Sequence, residues 1–201
     1  MEAYEAITSR RSQRQFDARA VAPALVRRLL YAGCLVPAPH HTRPWRYVVL
    51  ESDAARRSLA EAMGAAWRRD LVGDGVAAAQ IETLLARSRS QIEEAPALVL
   101  CCLVADGLRS WPDDGRRRAE WSMAVQSMGC GIEAIMVAAH AEGLASYWIS
   151  APLFCAAAVR KALDLPEGYE AQALIALGYA PEGAAPRPRR EPDASVHIQQ
   201  R

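Results

Sequence analysis

The alternation of apolar and polar residues predicts more helices than strands in this chain. Apolar residues recur at helical spacing in six segments, which are residues 1–12, 23–36, 52–72, 77–95, 119–144 and 154–165. Shorter apolar or β-branched runs predict five strands, at residues 46–51, 97–105, 145–150, 169–180 and 195–200. Because single helices do not alternate regularly with the strands, the pattern favours an α+β fold over a doubly wound nucleotide fold.

Local signals refine several of these helices. Tyr4 and Ile7 are the predicted apolar anchors of the first helix, and Ser52 or Asp53 is suited to cap the third. The segment 119–144 is rich in small residues and apolar on nearly all sides. This pattern predicts a helix that is buried in the core or in a subunit interface.

Composition and charge narrow the class of protein. The chain has 201 residues, 51% of them hydrophobic and 23% charged, with a net charge of +1. We therefore expect one domain over residues 1–201, with residues 183–201 as an extended arm, and neither nucleic acid nor membrane as a partner. No signal peptide is expected, and no apolar run is seen to approach the roughly 20 residues of a membrane helix. Five cysteines without a paired framework predict reduced core thiols in a cytoplasmic protein.

Arginine is concentrated near both ends of the chain. The first group consists of Arg10, Arg11, Ser12 and Arg14. In the second group, prolines hold Arg187 and Arg189 extended, so that their side chains can point the same way. Guanidinium groups are forked donors that suit phosphate. Two such groups suit one bound phosphate. The alternative interpretations are a solvated basic turn for the first group and a flexible tail for the second. The spacing in the sequence does not show that the two groups meet.

Other chemical motifs are weak. The stretch GCGIEA imitates a dinucleotide fingerprint, but no strand precedes it, so Gly129 and Gly131 predict close helix packing instead. His40 and His41 are adjacent and have no nearby carboxylate, so no metal site is predicted. His140 lies beside alanines and is interpreted as an ordinary core or surface residue.

Four ordered motifs together resemble the FMN-dependent nitroreductase family. They are the run from Arg10 to Phe16, the loop PAPHHTRPW before a strand, the segment from Glu142 to Ile149, and the Arg-x-Arg of the arm. In the loop, His41 stands where the family usually has Asn, and Arg43 stands where it usually has Gln. The resemblance covers essentially the whole chain. It implies a three-layer α+β fold with a central, mostly antiparallel sheet, and an obligate homodimer with swapped C-terminal arms.

The same resemblance implies bound FMN, with NAD(P)H as a candidate electron donor. Arginines from both ends would hold the phosphate, the run after Arg10 would bond the ribityl chain and the ring, and the loop would reach the flavin of the neighbouring subunit. Backbone N–H groups near Ile149 and Ser150 would donate to the flavin N5, and no side chain is assigned as catalytic. The residues implied to contact FMN are Arg10, Arg11, Ser12, Arg14, Ala38, Pro39, His40, Ile149, Arg187 and Arg189.

A finer resemblance concerns the substrate. PAPHHTRPWR and the stretches around Asp70 and Ser150 are similar to the C-terminal reductase domain of the FbiB bifunctional protein of coenzyme F-420 biosynthesis. This implies reduction of a double bond in a dehydro F-420-0 type precursor, and cationic His41 and Arg43 suit an anionic substrate. The implied substrate contacts are His41, Arg43, Asp70 and Ser150. Three alternatives stay open: an NAD(P)H-dependent nitroarene or quinone reductase, a non-catalytic flavin-binding protein, and a structural dimer without flavin.

Overall fold

A computed structural model describes residues 1–184, 188, 189 and 192. In that part of the chain the helices are α1 (Ala3–Ser9), α2 (Pro23–Cys34), α3 (Asp53–Gly73), α4 (Ala78–Glu93), α5 (Asp114–Ala141) and α6 (Ala156–Ala162). The strands are β1 (Trp45–Val49), β2 (Ala97–Leu103), β3 (Ala145–Ile149) and β4 (Glu170–Gly178). Short 3-10 turns cover Pro39–His41 and Ala151–Phe154. Arg187 and the predicted strand at 195–200 lie outside the described residues.

The strands form one antiparallel sheet in the order β1-β2-β4-β3. Strand β2 is central and buried along its whole length, as its continuous apolar run predicts. Strand β3 lies at one edge, so its outer backbone groups can pair with another segment of the chain or with a ligand.

Helices cover both faces of this sheet. Successive side chains of a strand point to opposite faces, so Val99 and Cys101 pack with α2 and α5, while Leu98 and Leu100 pack with α3, α4 and α6. The predicted three-layer α+β fold with an antiparallel central sheet is therefore confirmed.

Helix α5 begins five positions before the predicted residue 119 and ends at Ala141 rather than 144. Asp113 is its N-cap, because the Asp113 carboxylate accepts a 2.9 Å hydrogen bond from the backbone N–H of Arg116. The helix stops where Gly143 adopts a φ of +79°, a conformation that glycine tolerates best. Leu144 then donates back to the carbonyl of Ala139 at 2.8 Å.

Three expectations need correction. Tyr4 and Ile7 are 80% and 54% exposed in this chain, because α1 approaches α5 through the small side chain of Ala6 and through polar contacts near its end. Only two of the five free cysteines, Cys101 and Cys102, are buried. Among the described residues, α5 is long and apolar enough to cross a membrane by length and composition, with a mean hydropathy of 1.3 over 18 residues. The buried core helix of a globular protein can meet the same criteria of length and composition. Helix α5 contributes many residues to one of the two core clusters, so we interpret it as a core helix.

Candidate functional site

The segment that follows α1 runs along the free edge of β3. Ser12 forms a parallel bridge with Ser146, and the backbone N–H of Gln13 donates to the Ser146 carbonyl at 3.1 Å. The hydroxyl of Ser146 is buried without a hydrogen-bond partner among the described residues. The edge strand thus fixes the backbone of the predicted cofactor residues.

Arginines from the two ends of the chain meet at the start of this segment. Arg189 donates from Nη2 to the carbonyl oxygen of Arg10 at 2.7 Å. Arg10 in turn donates from Nε to Glu133 at 3.0 Å, which fixes the plane of its guanidinium group. Its Nη1 is buried and has no partner in the described part of the chain. We call Arg10, Arg11 and Arg189 the arginine cradle.

Farther along, the segment stacks on an aromatic residue of β3. The guanidinium carbon of Arg14 lies 5.7 Å from the centroid of the Tyr147 ring, and Phe16 stacks on the same ring with centroids 5.8 Å apart. Burial raises the pKa of Tyr147 to about 12, so its hydroxyl stays protonated at neutral pH. That hydroxyl donates to the carbonyl of Gln91 at 3.4 Å.

A cavity of about 630 Å³ opens at the end of β3, between α3, α4 and the turn before α6. It brings together Asp70, Ile149 and Ser150, three residues that the sequence resemblance singles out. The rest of its lining is Met63, Ala66, Trp67, Leu84, Arg87, Ser88, Gln91, Ala151, Phe154 and Cys155. Because most of these side chains are apolar and two are aromatic, the cavity suits a planar ligand with few polar groups.

The loop of Ala38 to Arg43 lies elsewhere, against the first half of α5. His40, His41 and Arg43 adopt φ values of 50°, 58° and 50°, a region that non-glycine residues seldom occupy. His40, His41 and Arg43 are all exposed, and His40 lies near Glu120. Since Glu120 and Glu133 are thirteen residues apart on α5, the loop and the arginine cradle are separated by about 20 Å along the helix axis.

Several residues at the site were missed from the sequence. Glu133 and His140 approach the end of α1 from α5, and Trp67 and Phe154 line the cavity. Phe154 could have been found from the sequence, because it is an aromatic residue only four positions after the WIS stretch. The contacts of Glu133 and His140 are formed between distant parts of the chain, so no local pattern marks them.

Comparison with known proteins agrees with this architecture. The model of the nitroreductase family matches residues 7–179 of the chain. The iodotyrosine deiodinase of Daphnia pulex is 26% identical over 98% of the chain, and that of Drosophila melanogaster is 27% identical over 90%. The chain spans only 66% and 63% of the length of these two relatives.

Solved structures show the same fold. A BluB-like flavoprotein from Clostridium difficile 630 superposes with a TM-score of 0.78 at 20% identity, covering 100% of both chains. The FMN-dependent nitroreductase NfnB from Mycobacterium smegmatis, in complex with NADPH, superposes with a TM-score of 0.73 at 23% identity, covering 99% of this chain and 97% of its own.

Proposed function

Because the chain belongs to the nitroreductase family, we propose that the segment along β3 holds FMN and that the cavity at the end of β3 receives the substrate. The chain is accordingly an FMN-dependent oxidoreductase, with NAD(P)H as a candidate electron donor. The main observation behind this assignment is that these groups follow one another along a single edge strand. The segment after the arginine cradle contacts β3 through Ser12 and Arg14, and β3 ends at Ile149 in the cavity wall.

The residues present suit FMN. Arg10, whose Nη1 has no partner among the described residues, and the neighbouring Arg11 and Arg189 offer guanidinium donors for a phosphate. Ser12 and Arg14 lie between the cradle and the cavity, where a ribityl chain and a flavin ring would follow the phosphate. When bound, FMN supplies hydride transfer between the electron donor and the substrate. The chain supplies the position of the ring, the positive charge at one end and a mostly apolar cavity at the other.

For the substrate, we propose a double bond in a dehydro F-420-0 type precursor. Asp70 and Ser150, which the sequence resemblance assigns to the substrate, line the same cavity. His41 and Arg43 would approach the flavin from the neighbouring subunit, where the Arg43 guanidinium would add positive charge and so favour an anionic substrate. A general reduction of nitroarenes or quinones uses the same flavin residues and is the alternative.

A second candidate reaction is reductive dehalogenation of an aromatic substrate. Two relatives carry the name iodotyrosine deiodinase, and Trp67 and Phe154 give the cavity aromatic walls. In this reaction a carbon–halogen bond breaks and a carbon–hydrogen bond forms. Halide would leave, and the two electrons and the proton of the new bond would come from reduced FMN held along β3.

We further propose that the working unit is a homodimer in the cytoplasm. Helix α5 exposes the apolar side chains of Met123 and Val125 at 38% and 40%, which leaves apolar area on this helix that a second copy could cover. The separation of about 20 Å between the loop at His40 and the cradle supports a flavin that takes residues from both copies. Sedimentation with and without FMN tests this; a monomer that binds FMN tightly would contradict it.

The first experiment is the visible spectrum of the purified protein. Flavin absorption, with FMN released on denaturation, supports the assignment, whereas a colourless protein that fails to take up FMN would overturn it. Anaerobic assays with the chemically reduced holoenzyme then compare a dehydro F-420-0 precursor, a nitroarene, a quinone and a halotyrosine. Faster oxidation of the flavin by the precursor than by the other three is expected. Fastest oxidation by the halotyrosine, with halide release, would favour dehalogenation instead.

A further inference from the structure

Helix α5 holds the end of α1 at two positions on the same face. The carboxylate of Glu133 accepts from Nε of Arg10 at 3.0 Å. Two turns later, Nε2 of His140 lies 2.8 Å from the hydroxyl oxygen of Ser9. Because α1 ends at Ser9, these two contacts fix the point from which Arg10 and Arg11 leave the helix.

The direction of the His140 hydrogen bond follows from its neighbours. The hydroxyl of Ser9 also lies 2.6 Å from the carbonyl oxygen of Glu5, which can only accept. Ser9 therefore donates to Glu5, and Nε2 of His140 donates to Ser9. The other ring nitrogen, Nδ1, is left to take up a proton, so His140 can become charged without losing its contact with α1.

We propose that His140 is a positioning residue of the arginine cradle and that it couples binding of the FMN phosphate to uptake of one proton. The inference rests on the proposed FMN site. It adds to that site a titratable group that holds the end of α1 in both of its protonation states.

The charges around His140 determine the direction of this coupling. Burial, and then the positive charges of Arg10 and Arg11, lower the pKa of His140, while Glu5 raises it. Glu133 pairs with Arg10, and Arg189 contacts the Arg10 carbonyl, so the surroundings are positive on balance. A phosphate dianion bound there would offset the guanidinium charges and raise the pKa of His140. The affinity for FMN should therefore increase as the pH falls through the interval between the free and bound pKa values.

The test is the Kd of FMN, measured by quenching of flavin fluorescence between pH 8 and pH 5.5. His140→Gln keeps an amide donor for Ser9 but cannot take up a proton, and His140→Leu removes both functions. The second protonation of the FMN phosphate, with a pKa of about 6, affects all variants alike and cancels in the comparison. Riboflavin, which lacks the phosphate, is the matched control ligand.

We expect His140→Gln to bind FMN like the unaltered protein at pH 8. Toward pH 5.5 the unaltered protein should gain affinity over His140→Gln, up to a limit of about three- to tenfold, which corresponds to a pKa change of half to one unit. His140→Leu should bind FMN more weakly at every pH. Parallel FMN profiles for the unaltered protein and His140→Gln, or the same divergence with riboflavin, would overturn the coupling alone. Failure of the unaltered protein to bind FMN at any pH would overturn both the proposed function and this inference.

Discussion

Arg189 donates a 2.7 Å hydrogen bond from Nη2 to the carbonyl oxygen of Arg10, although the two residues are 179 positions apart. This contact joins the C-terminal arm to the end of α1. Beside it, Nη1 of Arg10 is buried without a partner among the described residues. A buried charged donor without an acceptor is costly, so this place in the fold favours an anion.

Arg10→Ala and Arg189→Ala should weaken FMN binding through loss of a charged phosphate donor. Such a hydrogen bond contributes about 1.5–3 kcal/mol, which corresponds to roughly a tenfold to hundredfold increase in Kd. Flavin fluorescence titration measures the effect, and Arg27→Ala, an exposed arginine on α2, is the matched control. Affinity for riboflavin should change much less. An equal loss for both flavins would indicate that the cradle does not contact the phosphate.

Phe154→Ala should raise KM for the substrate and leave the affinity for FMN unchanged. Phe154 is 84% exposed and lines the cavity, so its ring is available to stack on a planar substrate. Loss of an aromatic contact worth about 0.5–1.5 kcal/mol corresponds to a roughly two- to tenfold effect.

Leu153→Ala is the control for Phe154, because Leu153 is adjacent and 51% exposed but is not among the residues that line the cavity. Steady-state kinetics of both variants with the preferred substrate would separate the two positions. Equal changes in KM would place the substrate somewhere other than the cavity.

His41→Asn with Arg43→Gln should spare FMN binding and weaken an anionic substrate. Both residues have positive φ, and Asn tolerates this conformation better than most residues, so the His41 change should preserve the loop backbone. Removal of positive charge should reduce the rate of association with an anionic substrate, and the difference should shrink at high salt. Measurements of kcat/KM at two ionic strengths, with a neutral substrate alongside, check this. Equal losses for FMN and substrate would contradict the assignment of these residues to the substrate.

Glu120→Gln should make the folded state less sensitive to acid. Trp111 Nε1 and the backbone N–H of Arg109 donate to the Glu120 carboxylate at 3.0 and 3.2 Å. The Trp111 hydrogen bond, followed by that of Arg109, lowers the pKa of Glu120. Because the folded pKa lies below the unfolded value of about 4.3, the stabilisation is present above about pH 5 and is lost as the pH falls through the folded pKa.

Urea unfolding from pH 7 to pH 3.5 measures this effect. The unaltered protein should be more stable than Glu120→Gln at pH 7, and the two unfolding midpoints should converge at low pH. Trp111→Phe, which removes one donor and keeps the aromatic ring, should shift the midpoint in the same direction. If the difference between the two midpoints stayed constant with pH, the Glu120 carboxylate would not be the group responsible.

The sequence was most informative where a local pattern decides the structure. The continuous apolar run of β2 and the Ser52 cap of α3, where Ser52 accepts from the N–H of Ala55, are both observed. The early start of α5 was also readable from Asp113, whose side chain caps it. In contrast, the contact between Arg10 and Arg189 and the cavity around Asp70 depend on packing of distant segments. That these residues lie close together was therefore indicated only by the family resemblance or by the structure.

Gly131→Ala should destabilise the protein, because α5 closely approaches α2 and β1 at Gly131. An added Cβ would lie 2.4 Å from the Tyr47 hydroxyl and 3.1 Å from the Gly33 carbonyl oxygen, so backbone as well as side chain would have to move. Overpacking of this kind costs about 1–3 kcal/mol. This is the close helix packing that the GCGIEA stretch predicts in place of a dinucleotide site.

Gly64→Ala is the matched control, since Gly64 lies inside α3 and its added Cβ would meet nothing within 4 Å. There the higher helix propensity of alanine should raise the free energy of unfolding by up to about 1 kcal/mol. Urea unfolding of both variants should therefore give effects of opposite sign. Equal stabilisation of both would show that α5 and α2 can separate at Gly131 without cost, which is incompatible with the tight packing described for this helix pair.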